Sequence, residues 1–284
     1  MIRKNEDRTG PRSTAADEIP ADVKQMLNPM DFVAPTDFVE LPSKGQFYPE
    51  GHPLCGKDTI EIKYMTAKEE DILSSRALIK KGVAIERLLE SIIKNKSINP
   101  SDLLIGDRNA ILIKARSSAY GHMYKANVNC PNCGAQNKKA FNLLEPKVSH
   151  GDNPEDHGVE KLENGRYKYE LPFCNLSIEF RMLNGKDEAK LIKIVQQDSK
   201  KESHAMSQQI ASVIQSVNGY EERNVIDYFV LNMLAGDARA FRKILKALTP
   251  DLRISSHFTC TSCNHEQELE VPFGADFFWP DRGI

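Results

Sequence analysis

Cys130-Pro131-Asn132-Cys133-Gly134 and Cys260-Thr261-Ser262-Cys263 decide how the rest of the chain is read. A two-residue spacer makes a tight turn that points both sulfurs the same way. Two such knuckles supply the four thiolates of a tetrahedral zinc set. Strand-like sequence flanks each. Tyr124 to Asn129 leads into the first knuckle and Lys139 to Asn142 leaves it; Ile254 to Thr259 leads into the second and Glu268 to Val271 leaves it. Two hairpins whose tips close on one metal form the plan of a zinc ribbon. The competing chemistries are a disulfide within each knuckle or a redox dithiol. A redox C-x-x-C usually opens a helix, and neither knuckle does. The expectation is therefore a structural Zn2+ held by Cys130, Cys133, Cys260 and Cys263.

The knuckles lie far apart, with 126 residues between Cys133 and Cys260. A stand-alone ribbon uses roughly 15–20. Either a domain is inserted, or two related halves each supply one knuckle. Order along the chain favours the second. Asp107 precedes Cys130 by 23 residues, and Asp237 precedes Cys260 by 23. Gly106-Asp107-Arg108-Asn109-Ala110 stands against Gly236-Asp237-Ala238-Arg239-Ala240. Ile60-Glu61-Ile62-Lys63-Tyr64-Met65 stands against Ile178-Glu179-Phe180-Arg181-Met182-Leu183, and Lys68-Glu69 against Lys186-Asp187. Self-similarity in fixed order sets an architecture. The fold class expected is α+β: two pseudo-repeated helix-and-strand lobes joined by a split four-cysteine zinc ribbon.

Residues 1–40 read as a flexible tail, with Pro11, Pro20, Pro29 and Pro35 blocking any long helix. Within it Val23, Met26, Leu27, Met30, Phe32 and Val33 make an apolar patch suited to docking on a partner or on the chain's own body; a dispensable leader is the alternative. Residues 41–145 form the expected first lobe. It opens on a loop punctuated by Pro42, Gly45, Pro49 and Gly51, with Phe47 and Tyr48 free to anchor it. Thr59 to Met65 alternates as a strand. Thr66-Ala67-Lys68-Glu69 is a capping box for a helix that Gly82 ends. Ala84 to Lys94 carries Ile85, Leu88, Leu89, Ile92 and Ile93 on one helical face, and Asp107 is read as the cap of a third helix. Residues 146–163 read as a linker. The second lobe, 164–284, starts at an Asn164-Gly165 turn. It continues with strands at Arg166 to Leu171 and Ser177 to Leu183, and helices at Asp187 to Ser199, Ser203 to Val217 and Val225 to Leu234. Asp237 is read as the cap of its last helix. Cys55 and Cys174, each beside an apolar residue, read as buried free thiols. Phe273, Phe277, Phe278 and Trp279 either form an interface or pack back on the hairpins.

Chemistry is sparse. The seven histidines are scattered, no Gly-rich phosphate loop is present, and nucleophile, base and acid do not gather in any motif. A four-cysteine site has no open position for substrate, and His122, His257 and His265 beside the knuckles read as surface groups. The expectation is a protein that is not an enzyme, with no catalytic and no cofactor-binding residues beyond the metal ligands. A net charge of −2 and a pI near 6.4 exert no global pull on nucleic acid or anionic membrane. A nucleic-acid-binding zinc ribbon is nonetheless the rival class. Its one supporting feature is a basic stripe, Arg239, Arg242, Lys243 and Lys246, on one helix face; a solvated face or an acidic neighbour explains the same stripe. No apolar run reaches the roughly 20 residues that span a bilayer. A polar N-terminus without a secretory signal and metal-type cysteine spacing point to a reducing cytoplasm.

Several stretches together resemble the baseplate hub and hub-assembly proteins of T-even-type contractile-tailed bacteriophages. They are Leu41-Pro42-Ser43-Lys44-Gly45-Gln46-Phe47-Tyr48-Pro49-Glu50-Gly51, Met65-Thr66-Ala67-Lys68-Glu69-Glu70-Asp71-Ile72-Leu73, Gly106-Asp107-Arg108-Asn109-Ala110-Ile111-Leu112, both knuckles, and Phe277-Phe278-Trp279-Pro280. The resemblance starts near residue 41. It implies a viral structural protein or assembly factor that is no enzyme, with other baseplate or tail proteins as partners. Its place would be the tail baseplate of the virion, or the host cytoplasm during assembly. Self-association stays open.

Overall fold

A computed structural model describes residues 33–162, 165–197, 205–271 and 275–278. The apolar patch Val23 to Phe32, Asn164 of the expected turn, Phe273 and Trp279 lie outside the described residues. Among the described residues, eight helices and twelve strands make an α+β fold. The first hairpin pairs β1 (Thr36–Glu40) with β2 (Thr59–Lys63) antiparallel, Val39 opposite Ile60. β1 thus occupies the last residues of the expected tail, since Val39 alternates inward against Ile60 and Ile62.

Helix α1 (Ala67–Ser74) starts where the sequence signals it. The Thr66 amide and hydroxyl both donate to the Glu69 carboxylate, at 2.9 and 2.6 Å. The expected single helix breaks at Ser75, whose hydroxyl accepts the Leu78 amide and starts α2 (Arg76–Lys81). Gly82 then takes a left-handed φ of 70° and ends it. Helix α3 (Ala84–Ile92) buries Ala84, Leu88, Leu89 and Ile92, the stripe its 3.6-residue period predicts. Next come α4 (Ile105–Tyr120), β3 (Met123–Asn129) and β4 (Gln136–Asn142). The expected linker carries β5 (Lys147–Ser149), a 3-10 turn at Pro154–His157 and β6 (Val159–Lys161).

The second half pairs β6, β7 (Tyr167–Glu170), β8 (Ser177–Phe180) and β9 (Ile214–Val217) into a four-stranded antiparallel sheet in that order. Its helices are α5 (Gly185–Gln197), α6 (Ala205–Val213), α7 (Arg223–Asn232) and α8 (Ala235–Leu248). Strands β10 (Asp251–Arg253), β11 (Ser255–Thr259) and β12 (Glu266–Glu270) follow. The helix expected from Ser203 to Val217 therefore stops at Val213. Its end is recruited as β9, because Ile214, Ser216 and Val217 are buried against β8. Tertiary pairing overrides local helical pattern there.

Buried side chains from both halves belong to one continuous apolar cluster, so the halves share a core as well as the cysteine cluster. Tyr167, Phe180 and Phe241 pack through it, tilted and then edge to face, with centroid separations of 5.7 and 5.1 Å. The halves also meet through the antiparallel β5–β10 pair. At Gly106 a Cβ would stand 2.3 Å from the Pro250 carbonyl oxygen, so only glycine lets α4 approach β10 this closely. Two of the C-terminal aromatics pack inward. Phe277 and Phe278 are buried, and the Phe277 carbonyl accepts from Arg116 Nε at 2.5 Å. Phe47 and Tyr48 anchor the opening loop as expected. Cys55, by contrast, is exposed: it sits on the outer turn of that loop, where its apolar neighbour Leu54 alone turns inward.

Candidate metal centre

The centre forms where the tips of two hairpins meet. In the β3–β4 hairpin, seven residue pairs run from Met123 opposite Asn142 to Asn129 opposite Gln136. At its tip the Cys130 amide donates to the Ala135 carbonyl and the Gly134 amide to the Cys130 carbonyl, with Gly134 at φ 72°. The β11–β12 tip repeats this turn. Cys260 donates to His265, Asn264 donates to Cys260, and Asn264 takes the left-handed position at φ 54°. Asparagine tolerates that conformation better than other side-chain-bearing residues.

These turns bring together the four cysteines named from the sequence. All four sulfurs lie within 4.8 Å of one another, and none is in a disulfide. Cys130 Sγ is 3.7 Å from Cys263 Sγ, and Cys133 Sγ is 3.7 Å from Cys260 Sγ. A zinc–sulfur bond of about 2.3 Å makes the edge of a zinc–thiolate tetrahedron about 3.8 Å. The donor set and its spacing therefore fit a tetrahedral four-thiolate metal ion. Cys130 and Cys260 are buried around Phe258 in a small apolar cluster distinct from the main core, while Cys133 and Cys263 face outward. His257 and His265 sit on the same hairpin but turn to Thr259 and Gln267. Neither they nor His122 join the cysteine group.

Hydrogen bonds bias two of the thiols towards thiolate. The Ser262 amide donates to Cys260 Sγ at 3.4 Å and holds that thiol down at about 6. The Asn132 side-chain amide donates to Cys263 Sγ at 3.6 Å and lowers it too. Cys133 moves up to about 12: the Ala135 amide favours its thiolate, but the Cys263 thiol, desolvation and the thiols of Cys260 and Cys130 outweigh that bond. A bound cation would remove this competition and deprotonate all four.

One residue at the centre has no signature in the sequence. Asn137, on β4, is 6% exposed. Its Oδ1 accepts from the Thr261 amide (2.9 Å) and hydroxyl (2.8 Å), and its Nδ2 donates to Ala135 O (2.9 Å) and Cys260 Sγ (3.6 Å). It ties one hairpin to the other's knuckle from 124 residues away. Nothing in the spacing of asparagines could have singled it out.

Buried carboxylates hold the scaffold behind the hairpins. Asp107 and Asp237, read as helix caps, sit at the third residue of α4 and α8, where Leu104 and Leu234 are the caps. Each reaches back to an earlier loop instead. Asp107 accepts the Ser43 amide (2.9 Å), the Ser43 hydroxyl (2.6 Å) and the Tyr48 hydroxyl (2.8 Å). Burial raises the Asp107 carboxyl, and the Ser43 and Tyr48 bonds counter that rise. Asp237 accepts the amides of Phe173 (2.8 Å) and Cys174 (3.2 Å). Glu69 is paired with Lys63 at 2.7 Å, and Asp187 with Arg181 at 2.6 Å.

Among the described residues no helix is long and apolar enough to cross a membrane. A family model described as T4 bacteriophage base plate protein matches residues 34–279. No curated protein and no solved structure matches the chain.

Proposed function

Since the chain belongs to the T4 bacteriophage base plate protein family, we propose that it is a non-enzymatic part of the contractile-tail baseplate. It serves as a hub subunit or as a factor that assembles the hub, through contacts with other tail proteins. Cys130, Cys133, Cys260 and Cys263 hold one structural Zn2+. The observation that carries the structural reading is the closed cluster of four sulfurs within 4.8 Å. Four thiolates fill a tetrahedral shell, so the metal ties two hairpins and leaves no position for substrate or water. Disrupting the gene in the phage should abolish complete baseplates, and mass spectrometry of purified tails separates a resident subunit from an assembly factor. Normal contractile tails without the protein would overturn this function.

The chain further reads as two copies of one unit, residues 41–145 and 164–284, with 146–163 between them and 1–40 ahead. Matched interactions support this. Asp107 bonds Ser43 and Asp237 bonds Phe173, each across 64 residues. Lys63 pairs Glu69 and Arg181 pairs Asp187, each across six. Ile62 bridges Ile93 after α3, and Phe180 pairs Ile214 after α6. Gly106 and Gly236 each sit second in a helix with a close neighbour, Pro250 and Phe173 respectively. On this reading both halves grip their helix by a buried carboxylate and offer one knuckle each.

A further inference from the structure

The baseplate reading leaves the basic stripe on α8 without a role. Arg239, Arg242, Lys243 and Lys246 are the only charged residues on this helix besides Asp237, which is wholly buried against the Phe173 and Cys174 amides. The outer face of α8 therefore carries four cations and no carboxylate.

Part of this face walls a groove of about 600 Å³ between α8, α6 and the β5–β10 ribbon. Its floor is apolar: Leu183, Ile210 and Leu245. The two cations on the ribbon rim are already neutralised. Lys147 pairs Glu268, and Arg253 pairs Asp251 and Glu270. Among the described residues the two on the α8 wall are not. Arg242 donates there to the Ala238 carbonyl and the Met206 sulfur, and among the described residues neither it nor Lys246 forms an ion pair, the groove's Asp251 being held by Arg253. Two unneutralised cations one helical turn apart, above three aliphatic side chains, make a surface with definite chemical demands. It needs carboxylates spaced about a turn or two residues apart, and aliphatic side chains beneath them.

We infer that this groove docks an acidic segment of a partner protein, one that carries Leu, Ile or Val anchors between its carboxylates. This inference rests on the baseplate reading for the source of the partner, a neighbouring tail protein. Nucleic acid fits less well. Among the described residues no aromatic side chain lines the groove for a base to stack on, and an aliphatic floor has no use for a phosphate backbone.

The test uses the full zinc-loaded chain and two sets of 15-residue peptides. One set tiles the tail proteins of the phage that encodes this chain; the other is a designed Glu/Leu alternating peptide with its Gln/Leu and Glu/Ser counterparts. Binding should concentrate in acidic tiles with aliphatic anchors. The Glu/Leu peptide should bind, and both counterparts should bind more weakly by roughly tenfold. Arg242→Glu with Lys246→Glu should abolish binding, and Arg242→Gln with Lys246→Gln should weaken it while the far-ultraviolet spectrum and zinc content hold. Preference for neutral or basic tiles, equal binding by the folded Gln variant, or tighter binding of a (dT)15 strand would overturn the inference. So would a chain that gains peptide binding only after residues 1–33 are removed, since that segment would then be the occupant. The two readings fail separately. A chain required for baseplates whose groove binds no acidic peptide loses the groove alone. A chain dispensable for baseplates whose groove still binds the Glu/Leu peptide loses the baseplate role alone.

Discussion

Replacing Asn137 by alanine isolates what joins the two hairpins, because it removes one buried side chain and no metal ligand. Four contacts disappear: two from Thr261 to Oδ1, and two from Nδ2, to Ala135 O and Cys260 Sγ. Thr261 is exposed, so water takes over part of its loss. A net hydrogen bond contributes about 1 kcal/mol, and the weaker contact to sulfur less. Summed over the set, the docking of the β3–β4 tip on the Cys260 knuckle should weaken by about 2–3 kcal/mol. Residues that orient metal ligands through such bonds change metal affinity by roughly 10- to 100-fold, about 1.4–2.7 kcal/mol, which agrees. Competition against a chromophoric chelator should show Asn137→Ala losing zinc in that range. Hydrogen exchange should speed up in 123–142 and 255–270 and stay slow in α3 and α4. Asn132→Ala is the control, since Asn132 is exposed and makes a single contact to sulfur; it should shift zinc affinity by less than about threefold. Unchanged zinc affinity and unchanged exchange at both tips in Asn137→Ala would refute the idea that this residue couples the hairpins.

Native mass spectrometry should find one zinc per chain and thiol labelling two unligated cysteines, Cys55 faster than the half-buried Cys174; two disulfides and no metal would count against the centre. Chelation should loosen both hairpins and leave the main core protected, because Cys130, Cys260 and Phe258 form a cluster separate from it. Burial works against the charge on Glu69, but Lys63, Ser91 and Thr66 more than compensate and hold the carboxyl at about 2. A depressed carboxyl contributes stability above its unfolded value near 4.5 that fades as pH falls towards 2, up to about 3 kcal/mol. Denaturant midpoints of Glu69→Gln should therefore lose that part of their acid dependence, and an unaltered slope between pH 4.5 and 2 would refute the assignment. Residues 59–142 should superpose on 176–271 with strand, helix and knuckle in the same order; unrelated paths would end the reading of two copies.

Much of the site was legible because its information is local. A C-x2-C turn needs only its own four residues to aim two sulfurs, so the sequence by itself determined which thiols gather. The capping box at Thr66 and the apolar stripe of α3 were legible for the same reason: each is a pattern within one or two turns. The equal Asp-to-Cys spacing placed Asp107 and Asp237 in matching positions, but their role came out only in three dimensions. Read locally, an aspartate near a helix start is a cap. In the fold each is the third residue of its helix and bonds a loop 64 residues earlier, and no local pattern encodes a partner that distant. The strand β9 escaped for a related reason, since Ile214 to Val217 suits helix or strand and the free edge of β8 decides between them. Cys55 was misjudged because an apolar neighbour says nothing about which side of a turn faces the core. Asn137 is the extreme case. Its partners lie on the other hairpin, 124 residues on, and only the tertiary structure, by bringing the two tips within hydrogen-bond reach, turns an ordinary asparagine into the link between them.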